Sequence, residues 1–135
     1  MTVTYSSYLH LDELLAAQQP LSQGPEHDEM LFIVIHQVYE LWFKQLLHEA
    51  AHLGAALEQD DLPRVYATLK RFLTILKVQV AQIDILETMS PVSFLSFRAR
   101  LDTASGFQSP QFRELEFVLG RRSARMIAHH AGTPA

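Results

Sequence analysis

The stretch "HDEMLFIVIHQVYELWFKQLLHE", from His27 to Glu49, decides the fold. Its apolar residues recur at steps of three and four, which is the spacing of one face of an α-helix. A proline and acidic residues stand between Pro25 and Asp28, where the N-terminus of a helix favours them. The pattern continues to about Gln59, so the sequence predicts one long helix over this region.

A second long helix follows after a break of a few residues. In "DDLPRV", Asp61 is a candidate N-cap and Pro63 is tolerated in a first turn. Two long helices joined by a short loop pack antiparallel, so we predict an all-α helical bundle built on a long antiparallel helical hairpin. The second helix is expected to run to about Thr88, and its apolar face is predicted to contain Val65, Leu69, Phe72, Leu76, Ile83 and Leu86.

Shorter elements flank the hairpin. A first short helix is predicted from about Leu9 to Gln18, another opens at Pro91 and carries "VSFLSFRARL", and a last one, "QFRELEFVLG", stops at Gly120. The segment "DTASGFQSPQ" is predicted to be a loop. The weakly patterned tail, 121–135, is expected to fray, and we treat 1–135 as a single all-helical domain.

The composition excludes several classes of protein. Among 135 residues, 48% are hydrophobic and 19% charged, which is a globular balance. A net charge of −4 provides no basic surface for nucleic acid. The absence of cysteine excludes disulfides and thiolate metal sites and favours a cytoplasmic location. The N-terminus has no signal-peptide pattern, and the longest apolar run is too short to span a membrane.

The letters "HEAAH", from His48 to His52, match H-E-x-x-H, a motif of zinc peptidases. On a helix these two histidines lie one turn apart and are able to share one metal ion. A third ligand is missing at the extended-motif spacing, because the helix continues through "LGAALEQ", where Glu58 is an unsupported candidate. A zinc hydrolase through His48-Glu49-x-x-His52 is therefore a minor alternative. The simpler interpretation places both histidines on a solvated or interhelical face.

His36 is the first candidate site residue. It lies four residues after Phe32, so both share one helix face within a segment rich in aromatic residues. Charging an imidazole among apolar side chains is unfavourable, so a neutral ring is expected, which is able to accept a hydrogen bond from a ligand N–H. The alternative is a core histidine that a neighbouring side chain satisfies.

A second candidate site lies in "FLSFRARLDTASGFQS", residues 94–109. Arg98 borders an apolar wall there and is able to clamp a carboxylate through two parallel hydrogen bonds. Alternatively it pairs with Glu87 or Asp102 at the surface. The turn Ala104-Ser105-Gly106 allows close approach of backbone to a ligand, because glycine has no side chain. It is equally compatible with an ordinary interhelical loop.

These features together outline a pocket for a small aromatic amino acid. Phe32 and Tyr8 would form an apolar slot, His36 would meet an N–H, and Arg98 would hold a carboxylate. Exposed apolar residues elsewhere predict a homo-oligomer. They are Tyr5, Tyr8 and Leu9 near the N-terminus, and Val34, Val38 and Leu41 on the face of the long helix opposite the pocket.

Long runs of the sequence resemble the tryptophan 2,3-dioxygenase family. The runs are "YSSYLHLDELLAAQQPLS", "HDEMLFIVIHQVYELWFKQLLHE", "ILETMSPVSFLSFR" and "ASGFQSPQFRELEFVLG", in the family's order. The resemblance implies a haem enzyme of the kynurenine pathway that uses O2 to open the indole C2–C3 bond of L-tryptophan, giving N-formylkynurenine. It also implies that "LLHE" belongs to a family helix and that His52 completes H-E-x-x-H by accident.

The resemblance assigns roles in the substrate pocket. His36 would be the distal, catalytic histidine that hydrogen-bonds the indole N–H. Arg98 would bind the substrate carboxylate, and Phe94 would pack on the substrate. The pocket wall would consist of Phe32, Ile33, Val34, Ile35 and His36.

Further roles concern the cofactor and the neighbouring subunit. Ser105 and Gly106 would lie near the haem and its oxygen. Family members are homotetramers, in which a segment like Tyr5, Tyr8 and Leu9 reaches into the next subunit's site.

The resemblance places the proximal haem histidine in a C-terminal helical region that follows Gly120. Haem needs an axial ligand, so we expect a further segment or a second polypeptide to supply it, with no metal ligand in this chain. His129 and His130 do not occupy the family's proximal position. The remaining alternative is a haem-free helical module that binds aromatic amino acids or a protein partner.

Overall fold

The computed structural model describes residues 2–24, 26–125 and 128, with the side chain of Phe107 left out. Within those residues the chain forms helices and no β-strand, which confirms the all-α prediction. Two 3-10 turns occupy Ala99–Leu101 and Gly106–Gln108. The bounded α-helices are α1 (Tyr5–Leu9), α2 (Leu11–Ala16), α3 (Asp28–Glu58), α4 (Leu62–Glu87), α5 (Pro91–Arg98) and α6 (Pro110–Val118).

Helices α3 and α4 form the predicted antiparallel hairpin. Tyr39 contacts Gln79 and Glu49 contacts Arg71, so positions pair in reverse order along the two helices. Asp61 caps α4, as predicted, because its side chain accepts a hydrogen bond from the backbone N–H of Arg64 at 3.2 Å. Helices α5 and α6 pack on α3.

The hydrophobic core lies where α4 and α6 meet α3. Leu46 of α3 is fully buried against Phe72 and Ile75 of α4 and Leu115 of α6. Burial of each such side chain stabilises the fold by about 1.5–3 kcal/mol relative to exposure. Around these four residues pack the partly buried Trp42, Phe43, Leu47, Ala50 and Leu76.

The predicted apolar face of α4 is only partly correct. Val65 and Phe72 are buried, but Leu69 is 39% exposed and Ile83 is 45% exposed. The contact with α3 follows alternating steps of three and four, the narrow seam of two helices that cross at a small angle. The crossing geometry, and not side-chain polarity, decides which positions of α4 are buried against α3. Thr68 and Gln79 are therefore buried on this seam together with Ile75.

The N-terminal prediction of one helix from Leu9 to Gln18 is wrong. α1 begins at Tyr5, where Thr4 caps it and accepts from the Ser7 backbone N–H at 3.2 Å. His10 then adopts a left-handed conformation, with φ 51°, and this separates α1 from α2. A non-glycine residue in this region ends a helix, because the following residues turn away from the helix axis.

The later boundaries follow the sequence closely. α5 begins at Pro91 after the Ser90 cap, but its continuation through "ARL" is a 3-10 turn. The segment predicted to be a loop contains the turn Gly106–Gln108 and the start of α6, which Ser109 caps by accepting from the Phe112 N–H at 3.1 Å. In the tail, residues 124, 125 and 128 are helical. The remaining tail positions 126, 127 and 129–135, including both histidines named above, lie outside the described residues.

Glu29 ties the connector between α2 and α3 to the hairpin. Its carboxylate is almost fully buried and accepts from the backbone N–H of Leu21 at 2.7 Å, from that of Ser22 at 2.9 Å, and from the Ser22 hydroxyl. Burial by itself would raise the pKa of Glu29. The bonds from Ser22 and Leu21, with the nearby charge of Arg100, outweigh burial and lower that pKa. The connector is thus held by a carboxylate that remains ionised.

No helix in the described part of the chain combines the length and apolar character needed to cross a membrane.

Truncation of the core leucine tests the position of the core. Leu46→Ala removes a side chain with no exposed surface, so it should lower the free energy of unfolding by about 2–5 kcal/mol in urea denaturation. Leu57 is a matched control on the same helix, at 55% exposed, and Leu57→Ala should change stability by less than about 0.5 kcal/mol. Equal effects of the two substitutions would contradict this core.

The Glu29 carboxylate should make stability depend on acidity. Because folding lowers its pKa, its contribution is present above the ordinary value of 4.5 and is lost as pH falls below it. The free energy of unfolding should therefore decline below about pH 4.5 in the unmodified chain and decline less in Glu29→Gln. Urea denaturation across this range measures it, with exposed Glu114→Gln as the control. An identical acid dependence in all three proteins would refute the tether.

Candidate functional site

A hollow of about 280 Å³ lies between one face of α3 and the turn that precedes α6. Its walls are mostly apolar, and the residues of the turn are exposed, so the hollow opens toward solvent. Among the described residues, those that line it are Phe32, His36, Glu40, Ala104, Ser105, Gly106, Gln108 and Ser109. The structure thus brings together Phe32, His36, Ser105 and Gly106, four of the residues singled out in the sequence.

The imidazole of His36 is oriented by its own helix. Its Nδ1 lies 2.7 Å from the backbone oxygen of Phe32, one turn earlier. A carbonyl oxygen only accepts, so Nδ1 carries a proton and donates it. In the neutral ring Nε2 is then unprotonated and is an acceptor. The ring also packs on Phe32, with the two ring centroids 4.2 Å apart. The geometry therefore presents one hydrogen-bond acceptor beside an aromatic surface.

A smaller hollow of about 200 Å³ adjoins the first along α3. The two share His36, Glu40, Gly106 and Ser109, so they form one continuous groove. Tyr39 lines the smaller part, and its hydroxyl donates to the backbone oxygen of Gln79 at 2.6 Å. Burial raises the pKa of Tyr39, so this phenol stays protonated and serves the hairpin as a donor.

Three phenylalanines form an aromatic cluster beside the hollow. Phe32 lies 5.9 Å from Phe94 and 5.6 Å from Phe97 between ring centroids, and the two α5 rings are 5.6 Å apart. Such separations suit tilted and edge-to-face aromatic contacts. Phe97 is fully buried, whereas Phe94 is half-buried. The cluster fixes α5 against the face of α3 that carries His36.

Arg98 lies at the outer end of this cluster and not on the wall of the hollow. Its guanidinium carbon is 6.0 Å from the centroid of the Phe94 ring. The side chain is exposed and donates to the backbone oxygen of Asp102 at 3.2 Å. Within the described residues it forms no ion pair with Glu87 or with the Asp102 carboxylate, the two surface partners considered from the sequence. Among the described residues, ring contacts connect Arg98 to His36 through Phe94 and Phe32.

The five consecutive residues Phe32 to His36 do not form one wall. Neighbouring positions on an α-helix point about 100° apart. Phe32 and His36 accordingly face the hollow, while Ile35 is buried in the core and Val34 is exposed. Ile33 is half-buried and does not line the hollow.

The apolar residues expected to mediate self-association lie mostly at the surface. Tyr5 and Tyr8 are 77% and 75% exposed, and Leu9 is 40% exposed. On α3, Val34 and Leu41 are exposed and Val38 is half-buried. In the chain by itself none of these three N-terminal residues lines the hollow at His36.

The H-E-x-x-H letters do not form a metal site in this geometry. His48 and His52 are exposed on α3, whereas Glu49 is buried and points toward α4. There the Glu49 carboxylate accepts from Gln45 at 2.8 Å and from Arg71 at 3.1 Å. No group of three or more potential ligands is assembled in the part of the chain that the structure describes. Glu49 is thus a structural acid of the hairpin.

Three residues that line the hollow were not singled out in the sequence: Glu40, Gln108 and Ser109. Glu40 follows His36 by four residues, so helical spacing alone would have placed it on the same face. Ser109 precedes Pro110 and Gln111, a pattern typical of a helix N-cap, which positions it beside the turn of the hollow.

Within the described residues, the fold and the hollow define an all-helical protein whose longest helix presents His36 and Phe32 to a mostly apolar hollow. Residues 1–132 match the model of the tryptophan 2,3-dioxygenase family. The tryptophan 2,3-dioxygenase of Herpetosiphon aurantiacus is 57% identical over 133 residues, which cover 98% of this chain and 51% of that protein. The tryptophan 2,3-dioxygenase of Anaeromyxobacter sp. (strain K) is 61% identical over 126 residues, covering 93% and 47%.

The chain belongs to the tryptophan 2,3-dioxygenase family, which confirms the resemblance seen in the sequence. It spans about half the length of the curated relatives that it matches.

The tautomer of His36 is directly measurable. Because Nδ1 donates to the Phe32 carbonyl, the neutral ring should carry its proton on Nδ1. Long-range ¹H–¹⁵N correlation spectra of the neutral ring should show a protonated Nδ1 and an unprotonated Nε2. Exposed His52 is the control and should show the Nε2–H form that a free imidazole prefers. Finding the proton of His36 on Nε2 would contradict the proposed acceptor.

Proposed function

We propose that this chain supplies the substrate-facing half of a tryptophan 2,3-dioxygenase site, which opens the indole C2–C3 bond of L-tryptophan with O2. The observation that carries the proposal is the single acceptor of His36, placed on an aromatic surface and opposite the Ser105–Gly106 turn. Membership of the family supports the same reaction. The substrate, cofactor and oligomeric assignments below are parts of this proposal.

The indole of L-tryptophan matches the α3 side of the hollow. Its flat ring would pack on Phe32, and its N–H would donate to Nε2 of His36, the ring nitrogen that the Phe32 carbonyl leaves as the acceptor. A substrate held by one directional hydrogen bond and one aromatic contact has a defined ring orientation. Phe94 and Phe97 would exclude water from the side of α5.

Arg98 would bind the carboxylate of the amino acid. Its observed contact is one bond to a backbone oxygen, at an exposed position. A carboxylate offers two acceptors and a full charge, so it is a stronger partner for a guanidinium than one carbonyl. We therefore expect the side chain to exchange Asp102 for the substrate and to close over Phe94.

A haem would bind with one face against the hollow. Gly106 presents backbone without a side chain, and a Cβ there would meet nothing within 4 Å, so a flat group has room to approach. Ser105 and Gly106 would lie against the cofactor, and His36 would face it across the substrate. Bound haem supplies the oxygen chemistry of the reaction, and the described residues supply orientation and exclusion of water. The axial ligand would come from outside the described residues.

The exposed N-terminal residues would complete the site of a neighbouring copy. Tyr5, Tyr8 and Leu9 project from α1 into solvent, where an apolar surface is unfavourable unless it is covered. We propose a homo-oligomer in which this arm contacts the next subunit. The absence of cysteine suits a cytoplasmic protein of this kind.

A chimera tests the proposal. Residues 1–132 of this chain would replace the matching part of the Herpetosiphon aurantiacus tryptophan 2,3-dioxygenase. The purified chimera should show a Soret band and should convert tryptophan with O2, measured as formation of N-formylkynurenine. Arg98→Ala in the chimera should lower kcat/KM by about 10–100-fold, because a charge-assisted hydrogen bond is lost.

Arg64→Ala is the matched control, since Arg64 pairs with Asp61 on α4 and is not part of the hollow. It should leave kcat/KM unchanged. A chimera that shows the Soret band but does not turn over tryptophan would contradict the substrate assignment. One that lacks the Soret band would contradict the cofactor assignment.

A further inference from the structure

We infer that Glu40 and Gln111 are a pair of positioning residues that set the distance between His36 and the Ser105–Gly106 backbone. The two walls of the hollow come from different parts of the chain, α3 and the turn before α6. The hollow exists only between these two walls. Its width therefore depends on the contacts that join the turn and α6 to α3. The inference rests on the proposed function only in taking this hollow as the substrate site.

The contact itself is a two-point clamp. The side-chain nitrogen of Gln111 donates to the backbone oxygen of Glu40 at 3.0 Å and to its carboxylate at 2.8 Å. An amide NH₂ has two protons, and both are used here on one residue of α3. The carboxylate is a charged acceptor, which makes the shorter bond the stronger kind. Both residues are partly buried, so water competes only weakly for these groups.

On the α3 side, the helix holds Glu40 at a fixed position relative to His36. Glu40 follows His36 by one helical turn and lines both parts of the groove with it. The carbonyl that Gln111 contacts belongs to the backbone of α3 itself. A displacement of Gln111 is therefore a displacement relative to the imidazole.

On the other side, the clamp is connected to the turn by short links. Gln111 is in the first turn of α6, next to the cap Ser109. Ser109 is buried, and its backbone N–H donates to the Gly106 oxygen at 3.3 Å. Gln108 accepts from the Ser105 N–H at 3.2 Å. A shift of α6 at Gln111 would therefore also shift the Ser105–Gly106 backbone.

The pair is not needed to hold α6 on the molecule. Leu115 is buried in the core, and Phe112 packs on Phe43 with ring centroids 5.4 Å apart. These apolar contacts are non-directional and permit small shifts of the helix, whereas hydrogen bonds at fixed atoms do not. The structure therefore assigns attachment to the apolar residues and alignment to Glu40 and Gln111.

Loss of the clamp should loosen the turn selectively. In Gln111→Ala, amide hydrogen exchange of residues 104–109 should be faster by about tenfold or more, since a bond to a charged group is lost. Exchange within the α3–α4 hairpin should not change. Unchanged exchange at 104–109 would overturn the inference.

Gln45→Ala is the matched control. Gln45 also donates to a glutamate on α3, Glu49, at 2.8 Å, but it lies away from the hollow. It should leave the turn as it is, and an equal acceleration at residues 104–109 would show a general loss of stability and overturn the inference.

A reversed pair separates alignment from a merely structural role. Gln111→Glu places two carboxylates together and should loosen the turn like Gln111→Ala. Adding Glu40→Gln removes this repulsion and restores the side-chain bond in the opposite sense, but not the bond to the backbone oxygen at position 40. Exchange at residues 104–109 should therefore slow part of the way back. Failure of this rescue would overturn the inference. These readouts need no tryptophan, so failure of the proposed function would appear separately, as a chimera without turnover.

Discussion

The packing of α4 and α6 on a single side of α3 is the constraint on which the remaining structure depends. Leu46 and Ile35 occupy the core side of α3, and the 3.6-residue period then leaves Phe32, His36 and Glu40 on an adjacent face. That face cannot be covered by the hairpin partner. It is bordered instead by α5 and by the turn before α6. The candidate site therefore lies at the side of the hairpin. α3 supplies Phe32, His36 and Glu40, and the turn before α6 supplies the opposite wall.

Much of the fold follows from local rules in the sequence. Periodicity and caps identify α3, α4, α5 and α6, because a proline, a capping residue and an apolar stripe act within one or two turns. The face shared by Phe32 and His36 is equally local. The role of Glu49 in the H-E-x-x-H motif could not be predicted from local sequence. The hairpin shows that its carboxylate pairs with Arg71 of α4 and does not face a metal ion.

The features that local rules did not predict are set by contacts between distant residues. Leu69 is apolar but exposed, and Gln79 is polar but buried, because the crossing of α3 and α4 selects a narrow seam. The Glu40–Gln111 contact spans 71 residues of sequence, and neither residue type signals its partner. The site thus combines a locally encoded helix face with a wall whose position is encoded by packing.

A crystal structure of this chain grown with L-tryptophan tests the central claim most directly, which is that the hollow on α3 is the indole site. The indole ring should lie on Phe32, with its N–H within hydrogen-bond distance of Nε2 of His36 and the amino-acid carboxylate on Arg98. Tryptophan bound at another surface, or a hollow that stays empty of ligand at saturating tryptophan, would contradict it.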